Sequence, residues 1–254
     1  MSVFLRFLIV TVAGLILAAC GGGGDNNPPS TITPEISAEG VWRFKSATED
    51  NSFDMVILET GETWVVPHDF TVSTVSRGQT QSSEGVLEGT VRGGFNDLQG
   101  ALFPSVYYSG TYSGRNNINI KSDNEYFLRG LHAGEYWNGY DQPASLASLA
   151  GKYDGVENIF APAFRSITIT ISPIGIISLP SGEDGCKRSG KMTPHASGKN
   201  MFDLTIVKED ACNSYDYSSG SGIAYYDDST RRFVVLTSLA GSRRGFVFLG
   251  TKSF

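Results

Sequence analysis

The stretch Ser166-Ile167-Thr168-Ile169-Thr170-Ile171 decides the fold. Three isoleucines alternate with hydroxyl residues at a period of two. Successive side chains of an extended chain point to opposite faces, so this run has one apolar and one polar side. Phe202, Leu204 and Ile206 repeat the pattern against Asp203 and Thr205, and Phe53, Met55 and Ile57 repeat it against Asp54, Val56 and Leu58. Such runs read as half-buried antiparallel strands. Turn signals separate them, among them Glu59-Thr60-Gly61-Glu62, Ser113-Gly114-Arg115-Asn116, Pro173-Ile174-Gly175 and Ser197-Gly198-Lys199. Turns at intervals of about 8–12 residues favour a barrel or sandwich over alternating strands and helices.

The chain matches itself in order. Ala38-Glu39-Gly40-Val41-Trp42 resembles Leu149-Ala150-Gly151-Lys152-Tyr153, and Met55–Leu58 with Gly61 resembles Ile169–Ser172 with Gly175. Further on, Glu84–Gly89 aligns with Asp184–Gly190, Ser109-Gly110 with Ser219-Gly220, and Tyr126–Leu128 with Val247–Leu249. The sequence therefore predicts an all-β protein of two tandem small antiparallel barrel-like or sandwich units, over residues 37–133 and 149–254. Closing each sheet would remove the exposed edges that invite aggregation. Residues 134–148 form the expected linker with a short helix, in which Asp141 can cap and Pro143 fits a first turn. A membrane barrel is disfavoured, because spanning strands need about 9–11 residues and most runs here are shorter.

The amino terminus has another character. Arg6 precedes an apolar run from Phe7 to Leu17, which is too short for a permanent span and suits a secretory signal over residues 1–19. It ends in Leu17-Ala18-Ala19-Cys20, which resembles the lipobox of bacterial lipoproteins. The resemblance implies that Cys20 carries diacylglycerol and becomes the mature amino terminus. With Gly21 rather than Asp after the cysteine, it also implies the outer membrane. Several acyl chains anchor stably, at about 0.8 kcal/mol per buried CH₂. Residues 20–36 then read as lipidated cysteine and tether, with four glycines for flexibility and Pro28-Pro29 for extension.

Three cysteines are present. With Cys20 lipidated, Cys186 and Cys212 remain as a pair in a compartment that permits a disulfide. They are equidistant from Lys199 at the presumed hairpin tip, so they would face one another across the ladder. The bridge would close a loop of about 25 residues, worth roughly 3 kcal/mol.

Composition excludes more than it selects. The formal net charge of −6 argues against nucleic acid and against adhesion to anionic lipid. His68, His132 and His195 lie apart without metal-ligand spacing and read as surface or turn histidines, so no metal or cofactor is expected. No nucleophile elbow occurs, and Glu183-Asp184 and Asp227-Asp228 read as solvated turn acids. Trp42 and Trp64 read as core. Tyrosines are the remaining signal. In Tyr107-Tyr108 and Tyr225-Tyr226 one ring of each pair should face outward, where a broad stiff ring with a polar tip makes good contacts. The expectation is a non-catalytic binding lipoprotein for a protein, a glycan or a small apolar ligand. An envelope inhibitor or assembly accessory, and a hydrolase with a dispersed site, are the alternatives.

Overall fold

In the computed structural model, the described residues are 37–45, 52–68, 75–93, 104–122, 130–160, 163–180, 187–208, 220–239 and 245–254. Cys20, Cys186 and Cys212, and the acidic residues Glu183 and Asp184, lie outside them.

Sixteen strands form two closed antiparallel barrels of eight. The first contains β1 (Gly40–Phe44), β2 (Phe53–Ile57), β3 (Glu62–Pro67), β4 (Ser76–Ser83), β5 (Val86–Arg92), β6 (Ser105–Ser113), β7 (Asn117–Ser122) and β8 (Gly130–Tyr136). The second contains β9 (Gly151–Phe160), β10 (Ala163–Ile171), β11 (Ile176–Leu179), β12 (Arg188–Pro194), β13 (Phe202–Lys208), β14 (Gly220–Asp227), β15 (Arg232–Ser238) and β16 (Val247–Lys252). Each strand pairs with the next in sequence, and the first closes on the last. The expected tandem all-β architecture is what forms, as barrels rather than sandwiches.

Alternation decides what fills each barrel. Trp42, Phe44, Met55, Val65, Tyr108 and Ile118 point into the first, and Tyr153, Ile169, Leu204, Phe233 and Phe248 into the second. Rings stack inside: Phe44 on Phe53 at 4.5 Å, and Tyr153 near Phe233 at 4.8 Å. Gly89 lies directly opposite Tyr108, and any Cβ there would run into the phenol ring. Apolar side chains point in. Over β4–β7 the outward positions carry Gln79, Gln81, Thr90, Asn117 and Asn119, the reverse of a membrane-spanning barrel.

Several hydrogen bonds recur at corresponding positions of the two barrels. Trp42 Nε1 donates to the Ala38 carbonyl at 2.8 Å, and the Tyr153 hydroxyl donates to the Leu149 carbonyl. Gly61 and Gly175 close the β2–β3 and β10–β11 hairpins at φ 79° and 80°, a region where only glycine sits without strain. Their carbonyls accept from Thr80 and Met192, each at 2.8 Å. The later sequence alignments are corrected by this register. The turn after β4 at Glu84-Gly85 corresponds to the turn at Ser197-Gly198, not to Asp184-Gly185. Gly110 corresponds to Ala224, not Gly220, and Val247–Leu249 to Leu131–Ala133, not to Tyr126–Leu128. Glycine-rich strands offer many local matches, and only ladder register selects among them.

The linker also differs in detail. β8 continues to Tyr136, past the expected edge at 133, and a 3₁₀ turn follows at Asn138–Asp141. The single helical turn α1 (Leu146–Leu149) is capped by Ser145, which accepts from Ser148. Asp141 does not cap it, because its carboxylate is held by Lys199 at 2.8 Å and by Arg115. In the ladder of β12 and β13, Pro194 faces Phe202, which centres the hairpin at Gly198 rather than Lys199.

Candidate functional site

Glu35–Phe254 is one compact unit, because the two barrels share a face. On the outside of β1–β3, Val41, Val56, Trp64 and Val66 are buried. They belong to the same cluster as Tyr225, Val234, Leu236, Val247 and Leu249 from the outside of β14–β16. These strands are therefore buried on both faces, and every residue of β2 is buried.

Charged groups lie within this seam. Asp54 of β2 is fully buried. Its carboxylate accepts from Tyr225 Oη at 2.7 Å and from Arg232 at 2.6 Å, both across the seam, and lies 2.7 Å from His68 Nε2. Arg232 also donates to the Pro67 carbonyl at 2.9 Å. Burial pushes the Asp54 carboxyl up. The hydrogen bond from His68 and the charges of Arg232, His68 and Arg43 outweigh it, so Asp54 sits below the usual carboxylate range. Burial, with Asp54 alongside, holds the Tyr225 phenol well above its ordinary value, so it stays a donor. Arg43 of β1 reaches Asp227 of β14 at 2.8 Å and lies over the Trp137 ring at 4.8 Å. Two acids and two arginines thus interlock in a low-dielectric seam, which fixes one docking geometry. Breaking such a pair leaves an uncompensated charge.

Where the seam meets the linker, a cleft of about 700 Å³ opens. Arg43, Lys45 and Glu135 form one wall, Trp137, Asn138 and Gln142 of the linker a second, and Asn200, Tyr226, Asp227 and Asp228 a third. Aromatic edges, amides and carboxylates of both barrels therefore face one space. The Asp227 carboxyl is held below its usual range: burial raises it, and hydrogen bonds from Thr230 and Ser229 with Arg43 overcome that. A second groove, of about 580 Å³, runs beside the β2–β3 turn and is lined by Glu59, Arg77, Lys191, His195 and Asp203. Among the described residues, no group of acids, histidines and cysteines could hold a metal ion.

The tyrosines singled out by sequence do not assemble. Tyr107 is 57% exposed on β6 and donates to Glu88 at 3.0 Å. Tyr108 points into the first barrel, where its hydroxyl bonds Thr80. Tyr225 and Tyr226 are both buried, against the expectation that one faces solvent. The reason is the seam: the outward ring, Tyr225, is covered by the first barrel, while Tyr226 packs edge-on against Tyr153. Of these four only Tyr226 lines the cleft, together with Tyr136 of β8, which sequence reading did not single out. Asp227 is likewise no solvated turn acid but a buried acceptor for Arg43, Ser229 and Thr230. His68 is tied to the buried Asp54, and His132 packs edge-on against Phe53 at 5.8 Å.

Sequence reading missed Asp54, Arg232, Arg43 and Trp137. One signal was present. Asp54 is the lone charge in Phe53–Leu58, and Phe233–Leu236 and Phe246–Leu249 are unbroken apolar runs. A strand whose two faces are both apolar is buried on both. No family model, no curated protein and no solved structure matches the chain significantly.

Proposed function

We propose that this chain is an outer-membrane lipoprotein, anchored through Cys20, that binds a partner without catalysis. The cleft of about 700 Å³ between two filled barrels carries the reading. Both barrel interiors are occupied by large aromatic and aliphatic side chains, which favours recognition on the surface over carriage of a ligand inside. The cleft brings aromatic edges, amides and carboxylates of both barrels and the linker to one place, and its walls are fixed by the interlocked seam. A protein or glycan surface suits such a mixed lining better than an apolar molecule. The two-barrel body fits duplication of one eight-stranded unit, and a Cys186–Cys212 disulfide remains part of the proposal.

Labelled palmitate tests the anchor. The chain takes up label, and Cys20→Ser abolishes it; an unlabelled parent chain overturns the anchoring. Capture from envelope extract on the immobilised chain tests binding. One partner is retained, and Asn138→Ala with Gln142→Ala at the cleft weakens it about tenfold, the effect of about 1.4 kcal/mol. Equal capture by parent and variant overturns the assignment to the cleft. Mass mapping without reductant tests the disulfide, and free thiols at both cysteines overturn it.

A further inference from the structure

Both ring nitrogens of His195 face carboxylates. Nδ1 lies 2.7 Å from Oδ1 of Asp203, and Nε2 lies 2.8 Å from Oε1 of Glu59. A neutral imidazole has one N–H, and an ionised carboxylate only accepts. Two such contacts therefore need protons on both nitrogens. The two acids come from different barrels. Glu59 stands in the turn between β2 and β3, whereas His195 follows β12 and Asp203 belongs to β13. The imidazole is 15% exposed, so its charge is partly withdrawn from water, while the carboxylates are 43% and 51% exposed.

We propose that His195 is a protonated clasp between the barrels, and that cohesion of the seam beside the 580 Å³ groove depends on pH through it. The proposal goes beyond partner binding and does not depend on it.

Other charges face the same groove. Glu62 is paired with Arg77 at 2.9 Å, and Lys191 extends from β12. Nearby, Tyr140 of the linker donates to Glu39 rather than to Glu59. These leave Glu59 and Asp203 as the partners of the ring. Burial disfavours the imidazolium, but the hydrogen bonds to Glu59 and Asp203 and their charges prevail, so His195 titrates above its ordinary 6.5. Burial pushes Glu59 up, and the His195 hydrogen bond, a backbone hydrogen bond and the His195 charge together outweigh it, so Glu59 ends below its ordinary 4.5.

The signs follow from linkage. A histidine raised by folding contributes stability that is complete below 6.5 and is lost as pH rises through the folded value. A carboxyl lowered by folding contributes stability present above 4.5 and lost as pH falls through its own folded value. The clasp is complete between the two ordinary values; it opens on the alkaline side as His195 loses its proton and on the acid side as Glu59 gains one.

The test is an NMR titration of the three histidine rings in the full chain in detergent, assigned with His68→Gln and His132→Gln. His195 titrates above 6.5. Glu59→Gln and Asp203→Asn each lower it by about one pH unit, the effect of losing one adjacent opposite charge. The unfolding temperature of the parent chain falls as pH rises from about 6.5 to 9, and His195→Gln flattens that slope. A His195 value at or below 6.5 overturns the clasp. So does a Glu59→Gln chain with an unmoved His195, because the ring would then not reach the first barrel. If His195→Gln does not fold, the two carboxylate variants still decide.

Discussion

Corresponding faces of the two barrels differ in one respect, and it determines how the molecule is assembled. On the outside of the first three strands, Val41, Val56 and Trp64 of the first barrel correspond to Lys152, Thr170 and Ser178 of the second. On the outside of the last three, Thr111, Asn119, Lys121 and Ala133 of the first correspond to Tyr225, Val234, Leu236 and Leu249 of the second. The ladder is the same in both, while the outward side chains are exchanged. Apolar faces occur once on each barrel, and on unlike strands. The seam therefore joins the front of one unit to the back of the other. A contact between unlike faces can propagate from unit to unit unless its outer ends are closed. Here the two outer ends carry lysine, asparagine, threonine and serine in place of the apolar side chains of the seam.

Removing the charge at the centre of the seam breaks this contrast most severely. Asp54→Ala strands Arg232 in the seam and deprives Tyr225 and His68 of their acceptor. Urea unfolding should show a loss of about 3–5 kcal/mol. Thr168→Ala, at the corresponding position of the second barrel, has only an exposed bond to Asp154 to lose and should cost less than about 1 kcal/mol. Equal losses would mean that the seam does not distinguish the two faces.

Exchanging one residue between corresponding positions sharpens the point. Val234→Asn buries an amide in the seam and should cost about 1–3 kcal/mol. Asn119→Val, its counterpart on the open face, should stay within about 0.5 kcal/mol. The combination Ser109→Ile, Asn119→Val and Lys121→Leu rebuilds the docking face on the first barrel. Sedimentation should then show more self-association than the parent chain at the same concentration. A smaller effect than at Asp54 probes the shared ladder. Trp42→Phe and Tyr153→Phe each remove the bond that ties the incoming chain to its barrel. Tyr153→Phe, which deletes only a hydroxyl, should cost about 1 kcal/mol in thermal unfolding, and Trp42→Phe, which also empties buried ring volume, should cost more. No loss at either position would show that the tie contributes nothing to the barrel it closes.

Much of the fold was legible because alternation is local. Ile167, Ile169 and Ile171 announce a strand whatever lies beyond it, and Gly61 and Gly175 mark the same turn in both units. The site was far less legible. Tyr225 reads as exposed until the outer face of β14 is known to be covered. Asp54 reads as the polar half of an alternating strand until Arg232, far along the chain, is brought to it. His195 and Glu59 are separated in the same way, and nothing near either one names its partner.

By itself the sequence determined the strands, their inward faces, the tandem plan and the expectation of a lipid anchor, because each depends on residues within a few positions of one another. Only the tertiary structure decided that the barrels close, that they dock front to back, and that a buried ion network and a histidine held between two carboxylates span the joint. Those features depend on which outer face meets which, and that is settled by burial of apolar surface and pairing of charge between strands remote in the chain.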